Sequence, residues 1–234
     1  MKLVILAGGK GARLHPLTEN MPKPMIDLVG KPVLQHNIEW ARRQSIKDIV
    51  ICSGYKHEVI ENYFGNGSRF GVKITHSVEN EPLGTGGALH LIKDYLNHDD
   101  FIVLNGDVVC MMDFKKLLSY HSNKMADATI VVHDSYHPED SDLVEFAGSG
   151  EVKKFWLRPH KDTPQTKKSV AGAYVFDSRV LNEIPEGESS LEKQLLPSLY
   201  SKGYFVYCYD TNEYLKDMGT FERMRDIESD LVNF

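Results

Sequence analysis

Apolar residues along this chain arrive at two spacings. Leu3-Val4-Ile5-Leu6, Ile49-Val50-Ile51 and Phe101-Ile102-Val103-Leu104 are short unbroken runs, the pattern of strands buried on both faces. Between them the spacing becomes helical. Leu34, Ile38 and Ala41 share one face of a helix predicted over residues 32–45, and Leu89, Ile92 and Leu96 do the same over 86–96. A short helix at 58–64, a strand at 72–78 and a helix after Asp113 carrying Leu117 and Leu118 complete the alternation. Strand–helix alternation predicts a mostly parallel sheet flanked by helices on both faces. The second half is richer in strands, at 128–133, 143–146, 152–157, 170–176 and 204–209, and reads as a mixed-sheet region appended to the first. No linker, repeat or low-complexity tract divides the chain, so residues 1–234 are expected to be one domain. The polar, proline-bearing stretch 160–168 is an expected mobile loop.

The first strand runs into Ala7-Gly8-Gly9-Lys10-Gly11-Ala12-Arg13, and Pro22-Lys23-Pro24-Met25 follows. Closely spaced glycines let backbone N–H groups approach phosphate oxygens, and the cations neutralise them. An unliganded strand-to-helix turn would use the same glycines. Two familiar phosphate loops do not fit. Leu14 stands where G-x-G-x-x-G needs its third glycine, and Lys10 is followed by Gly11 instead of Ser or Thr. Gly84-Thr85-Gly86-Gly87 breaks the first pattern in the same way at Leu89. Ligands collect at the carboxyl ends of strands in open sheets of this kind, which marks Asn105-Gly106-Asp107, just past the run 101–104. An aspartate there can ligate Mg²⁺, or merely cap a turn. Asp217, in Lys216-Asp217-Met218-Gly219-Thr220, is a second such carboxylate with the same two readings.

Composition narrows the class. A hydrophobic share of 41% and a charged share of 26% suit a globular domain with a full core. The opening apolar run is too short for a signal peptide and none approaches a membrane span. A net charge of −6 argues against a nucleic-acid binder. Cys52, Cys110 and Cys208 are widely spaced, which argues against structural zinc or a disulfide framework and fits a reducing cytoplasm.

LAGGKGARLHPLT, PKPM, EPLGTGGAL, LNGDVV and KDMGT, in that order, resemble the sugar-1-phosphate nucleotidyltransferases over nearly the whole chain. The resemblance implies a Rossmann-like α/β fold with an inserted strand-rich sugar-binding region. It implies a nucleotide-binding half over about 1–110, a sugar-binding half over about 111–234, small-molecule substrates and dependence on Mg²⁺. Carried over, Leu6, Ala7, Gly8, Gly9, Gly11 and Arg13 would wrap a triphosphate, and Lys23 would neutralise its α-phosphate side. Asn105 and Gly106 would border the nucleotide, with Glu81, Gly84 and Thr85 near base or sugar. Asp107 and Asp217 would hold the metal. Arg13, Lys23 and Asp107 would be the catalytic set, and Gly106, Glu145, Arg158, Gly172 and Glu192 would line the sugar phosphate.

Two family patterns are altered. F-x-E-K-P becomes Phe155-Trp156-Leu157-Arg158-Pro159, keeping a cation whose fork suits phosphate. N-A-G-Ile/Leu-Tyr becomes Val170-Ala171-Gly172-Ala173-Tyr174. Both changes disfavour glucose-type recognition. The stretch 137–145 resembles manno-heptose 1-phosphate nucleotidyltransferases, which favours a GTP-using mannose or heptose branch. UTP-, CTP- or dTTP-using members acting on other sugar phosphates or phosphocholine are the alternative, as is a non-catalytic nucleotide-sugar binder. Glu192 is also the expected partner of Ser189 in a helix capping box. A glycosyltransferase is disfavoured because Asp107-Val108-Val109 lacks an Asp-x-Asp pair. The resemblance makes a homodimer plausible, and a sequence stopping at Phe234 leaves no room for the β-helix appended to longer members.

Overall fold

A computed structural model describes residues 1–96, 99–135 and 137–233. The strands are β1 (Lys2–Ala7), β2 (Asp27–Leu28), β3 (Lys31–Pro32), β4 (Asp48–Ser53), β5 (Lys73–Val78), β6 (Phe101–Asn105), β7 (Val108–Cys110), β8 (Ala128–Asp134), β9 (Leu143–Phe146), β10 (Val152–Trp156), β11 (Lys168–Phe176), β12 (Val206–Asp210) and β13 (Leu215–Asp217). The helices are α1 (Val33–Arg43), α2 (His57–Phe64), α3 (Gly84–Leu91), α4 (Lys93–Leu96), α5 (Phe114–Asn123), α6 (Leu196–Ser201) and α7 (Phe221–Leu231).

One nine-stranded sheet crosses both halves of the chain, in the order β10-β9-β11-β6-β1-β4-β5, with β8 and β12 joined through the other edge of β11. The pairs β1–β4, β1–β6, β4–β5 and β8–β12 are parallel, and β11 runs antiparallel to β6 and β8. The unbroken apolar runs are explained by burial on both faces. Leu3 and Ile5 of β1 join α1, α2 and α5 through Leu34, Ile38, Ile60 and Leu117, while Val4 faces Ala88, Leu89, Leu196 and Leu199 on the opposite side. The same alternation holds for Ile49, Ile51 against Val50 and for Ile102, Leu104 against Phe101, Val103.

Asp113 caps α5 as expected, its Oδ1 accepting from the Lys115 and Lys116 amides at 2.9 and 3.2 Å. The helix expected over 86–96 is instead two. Ile92 leaves helical geometry at φ −109°, ψ 11°, and its side chain turns into the core. No helix among the described residues is long and apolar enough to cross a membrane. All three cysteines are buried free thiols, and burial pushes Cys52 and Cys110 up to about 12.

Two departures from a plain parallel sheet shape one margin. β11 pairs with β6 over Ala173–Phe176 but touches β9 at Ser169, and it changes partner at Gly172, whose φ is +74°. Next to it, β7 and β13 form a separate antiparallel ribbon. That ribbon is fixed by a third apolar cluster, in which Val109 and Met218 meet Leu14, Ile26, Leu28 and Ile227. Leu14 and Met218, next to Arg13 and Asp217, and Val109, two residues past Asp107, therefore share one small core.

Candidate functional site

The carboxyl ends of β1, β4, β5 and β6 lie side by side, and the glycine-rich turn leaves the sheet there. Gly106 N–H donates to the Leu6 carbonyl at 2.8 Å, joining the two loops expected to hold nucleotide. Ala7 is buried beneath the turn. Gly11 has φ +63°, and a Cβ on it would lie 2.9 Å from Cβ of Lys23 and 3.0 Å from Cγ2 of Thr18. That close approach brings the glycine turn against the Pro22–Met25 segment. Gly9, Lys10 and Arg13 stand exposed, and Arg13 has no ion pair among the described residues. Arg13 therefore carries a charge that no described side chain neutralises.

Lys23 is different. Only 7% of it is exposed, and its Nζ lies 2.5 Å from Oδ2 of Asp107. A buried ammonium needs such a partner. Asp107 is itself one-third exposed, 33% by side chain, so one side of the pair opens to solvent. The ribbon brings Asp217 to the same place. It stands opposite Val108, and the Met218 N–H donates to the Asp107 carbonyl at 2.9 Å. The two acids thus sit at one end of one ribbon, on neighbouring residue pairs. Asp217 is held by Arg223, whose Nη1 reaches Oδ1 and Oδ2 at 2.8 and 2.7 Å, and by Gly219 N–H at 2.9 Å. His133, near the end of β8, is held below its usual range by burial, and Asp217 is the charge that opposes this most.

Beyond the Gly172 bend lies a second polar group. Glu192 Oε1 accepts from Tyr174 OH at 2.6 Å, and Oε2 accepts from Ser190 Oγ at 2.9 Å and Thr85 Oγ1 at 3.2 Å. Tyr174 is fully buried, and burial first, then Glu192, pushes its phenol well above the ordinary range. The capping box expected from Ser189 and Glu192 does not form. Ser190 caps instead, through Lys193 N–H, while the Ser189 amide pairs with the Leu83 carbonyl. The reason is in the glycines: Cβ atoms on Gly84, Gly86 and Gly87 would meet Ser189 O, Ser189 Oγ and Gly187 O at 2.5 Å or less. The start of α3 is covered by backbone, and Thr85 faces Glu192 and the Leu191 amide.

Glu145 accepts from Trp156 Nε1 at 2.7 Å. Arg158 bonds the Asp140 carbonyl and, at 3.2 Å, the Asp142 carboxylate, while its amide takes the other Asp142 oxygen at 2.8 Å. Its fork is thus engaged within the β9–β10 region. Gly172 comes so close to Asn105 that a Cβ would lie 2.9 Å from Nδ2, and Asn105 Oδ1 is buried with no hydrogen-bond partner among the described residues. Glu81 is exposed.

Two residues escaped the sequence reading. Glu79 follows the last residue of β5, and the backbones of Gly8 and Gly54 close around its carboxylate, so that a Cβ on either would meet Oε1 where it now stands. Burial pushes its carboxyl up, opposed by the Leu83 N–H at 3.2 Å. Its place one residue past a strand was a usable signal. Asn37 of α1 clamps the ribbon, donating to Val108 O at 2.7 Å and accepting from Cys110 N–H at 3.0 Å. Nothing in a helical pattern distinguishes such an asparagine from a surface one.

The family model described as "Nucleotidyl transferase" matches residues 2–233. A mannose-1-phosphate guanylyltransferase of Mycobacterium tuberculosis (strain ATCC 25618 / H37Rv) is 37% identical over 98% of this chain and 64% of its own length. A mannose-1-phosphate guanyltransferase of Yarrowia lipolytica is 36% identical over 94% of the chain and 61% of its own. The chain thus spans somewhat less than two thirds of these relatives. Among solved structures, HddC from Yersinia pseudotuberculosis aligns with TM-score 0.84, 27% identity and coverage of 98% and 99%, and has also been solved with GMP-PN. A putative glucose-1-phosphate thymidylyltransferase from Bacillus anthracis aligns with TM-score 0.88 at 23% identity, covering 100% of this chain and 96% of that one, a likeness of fold.

Proposed function

From the premise that the chain belongs to the nucleotidyl transferase family, we propose that it moves a nucleoside monophosphate from GTP to a manno-configured sugar 1-phosphate, mannose or manno-heptose, releasing pyrophosphate. The observation that carries this reading is the Lys23–Asp107 pair, 2.5 Å across, at the sheet margin where the glycine turn ends. The presence of Arg13, Lys23, Asp107 and Asp217 together favours catalysis over a pure nucleotide-sugar binder, which needs no full phosphate-and-metal set.

The chemistry follows from charge. A phosphate oxygen of the sugar 1-phosphate attacks the α-phosphorus in line, and the bond from that phosphorus to the bridging oxygen breaks as pyrophosphate leaves with the electron pair. The nucleophile is already an anion, so the protein supplies position and neutralisation. Backbone N–H groups of the glycine turn and Arg13 would embrace the triphosphate. Lys23, fixed from below, would face the α-phosphate without losing side-chain freedom on binding. Asp107 and Asp217 are hard oxygen donors on neighbouring residue pairs at one end of the ribbon, which fits a Mg²⁺ site of one or two carboxylates completed by phosphate oxygens. When bound, Mg²⁺ would supply charge neutralisation on the triphosphate. Glu192, held by three hydroxyls, would accept from sugar hydroxyls at the far side.

Glu79 supports the choice of GTP. A carboxylate only accepts hydrogen bonds, and among the nucleobases guanine presents two adjacent donors on its Watson–Crick edge. The guanylyltransferase names of the relatives at 36–37% identity point the same way. The test is pyrophosphate release with each of four triphosphates against mannose 1-phosphate and manno-heptose 1-phosphate. GTP should be preferred, and Glu79→Gln should erode that preference by about tenfold or more, the scale of one mismatched hydrogen-bonding group. No turnover with GTP, or a pyrimidine triphosphate used better, overturns the reading.

A further inference from the structure

Both acids of the proposed metal site already carry a protein cation, but the two cations differ in freedom. Lys23 is buried and cannot move far from Asp107. Arg223 is partly exposed, 30% by side chain, and sits on an Asp217 that is 44% exposed. One guanidinium nitrogen straddles both carboxylate oxygens, and Gly219 N–H takes Oδ1 as well. Three hydrogen bonds thus occupy most of the carboxylate's acceptor sites, which a hard cation would have to share or take over. The arrangement is local and built: Arg223 lies in the first turn of α7, its amide donating to the capping Thr220 Oγ1 at 3.3 Å. A Cβ on Gly219 would lie 2.5 Å from Asp217 Oδ1 and 3.2 Å from Arg223 Nη1, so a side chain there would displace the carboxylate from its present place in the bridge.

We propose that Arg223 is the exchangeable counter-ion of Asp217: it holds the carboxylate in the metal-free protein and surrenders it to a divalent cation, thereby setting the metal affinity of the site. Rotation about the arginine side chain frees Asp217 without disturbing β13, whereas Asp107 keeps Lys23 beside the phosphates. Metal alone must compete with the guanidinium for one acid. Metal arriving with a triphosphate brings its remaining oxygens and wins. Arg223 is thus a positioning residue, acting through Asp217. The inference rests on the assignment of Asp107 and Asp217 to a metal, and its test separates the two.

Free Mn²⁺ is titrated against the full chain without nucleotide, and bound metal is read by electron paramagnetic resonance. Arg223→Gln should bind Mn²⁺ about fivefold more tightly than wild type, the scale set by losing one partly exposed ion pair, and Arg223→Lys should fall nearer wild type. Asp217→Asn should weaken binding in every background. Thermal melting checks folding, and Arg223→Met gives the same comparison if the Gln variant is unstable. Equal or weaker Mn²⁺ binding in folded Arg223→Gln or Arg223→Met overturns the exchange. Asp217→Asn binding Mn²⁺ as wild type does removes the metal assignment itself, and the exchange with it.

Discussion

Lys23 and Arg13 carry the same formal charge and sit in neighbouring segments, yet the fold treats them oppositely. Lys23 is buried, with Asp107 as its partner, while Arg13 is left in solvent. A fixed cation contributes most in a transition state because its orientation is settled before the reaction begins. Lys23→Met should therefore lower kcat/KM by about 10²–10³-fold, the cost of removing one preorganised charge-stabilising donor, while circular dichroism stays native. Steady-state kinetics on purified protein check this, and a loss below tenfold would mean that Lys23 serves only to neutralise Asp107. Both residues were legible in the chain as basic positions beside glycine and proline. Their difference in exposure was not, because burial depends on what lies above the side chain.

At the scale of elements, the turns matter more than the strands they join. Gly11 and Gly172 both take positive φ, and both are crowded by residues of the site: Lys23 and Thr18 against Gly11, Asn105 and Val108 against Gly172. A side chain at either position meets backbone strain and a steric clash at once. Gly172→Ala should cost about 1–3 kcal/mol of stability from the left-handed backbone and the added contact, read as a lower urea midpoint at unchanged slope. A substitution without effect would show that the β11 bend relaxes freely. The nine strands of the main sheet and the helices α1 and α2 were readable from periodicity, the short strands β2, β3 and β7 were not, and Asp113 announced its helix by its side-chain chemistry. The break of the predicted 86–96 helix at Ile92 was not readable, since every residue there suits the helical pattern and tertiary burial of Ile92 decided the matter. Ser189 misled for a related reason: its spacing to Glu192 fits a cap, but its backbone is needed by the glycines of α3.

Across the whole molecule, titration is divided between the two ends of the sheet. Far from the glycine turn, His121 is 2% exposed, its Nδ1 bonded to Thr129 Oγ1 at 2.8 Å and its Nε2 3.8 Å from Asp100. Burial holds its pKa below the ordinary value despite Asp100, Asp177 and Asp127. The unfolded chain therefore takes up a proton near pH 6.5 that the folded protein resists, so this group costs stability as the pH falls below that value. Asp100 is pushed up by burial, which gives the opposite sign in a more acidic window. The urea midpoint should drop between pH 7.5 and 5.5, and His121→Gln should flatten that drop. An unchanged slope in the variant would assign the pH dependence to other groups.

The linear order of residues was enough to determine a two-faced sheet, a glycine-rich turn at its margin and the acids and bases of the candidate site, because each of these is written in nearest-neighbour spacing and side-chain chemistry. Tertiary structure alone decided which charges meet. Lys23 and Asp107 are 84 residues apart, and Glu79 acquires its setting from Gly8 and Gly54 on two other loops. Contacts at that separation depend on strand order and on the depth at which each group is withdrawn from water, and neither quantity is carried by any local pattern.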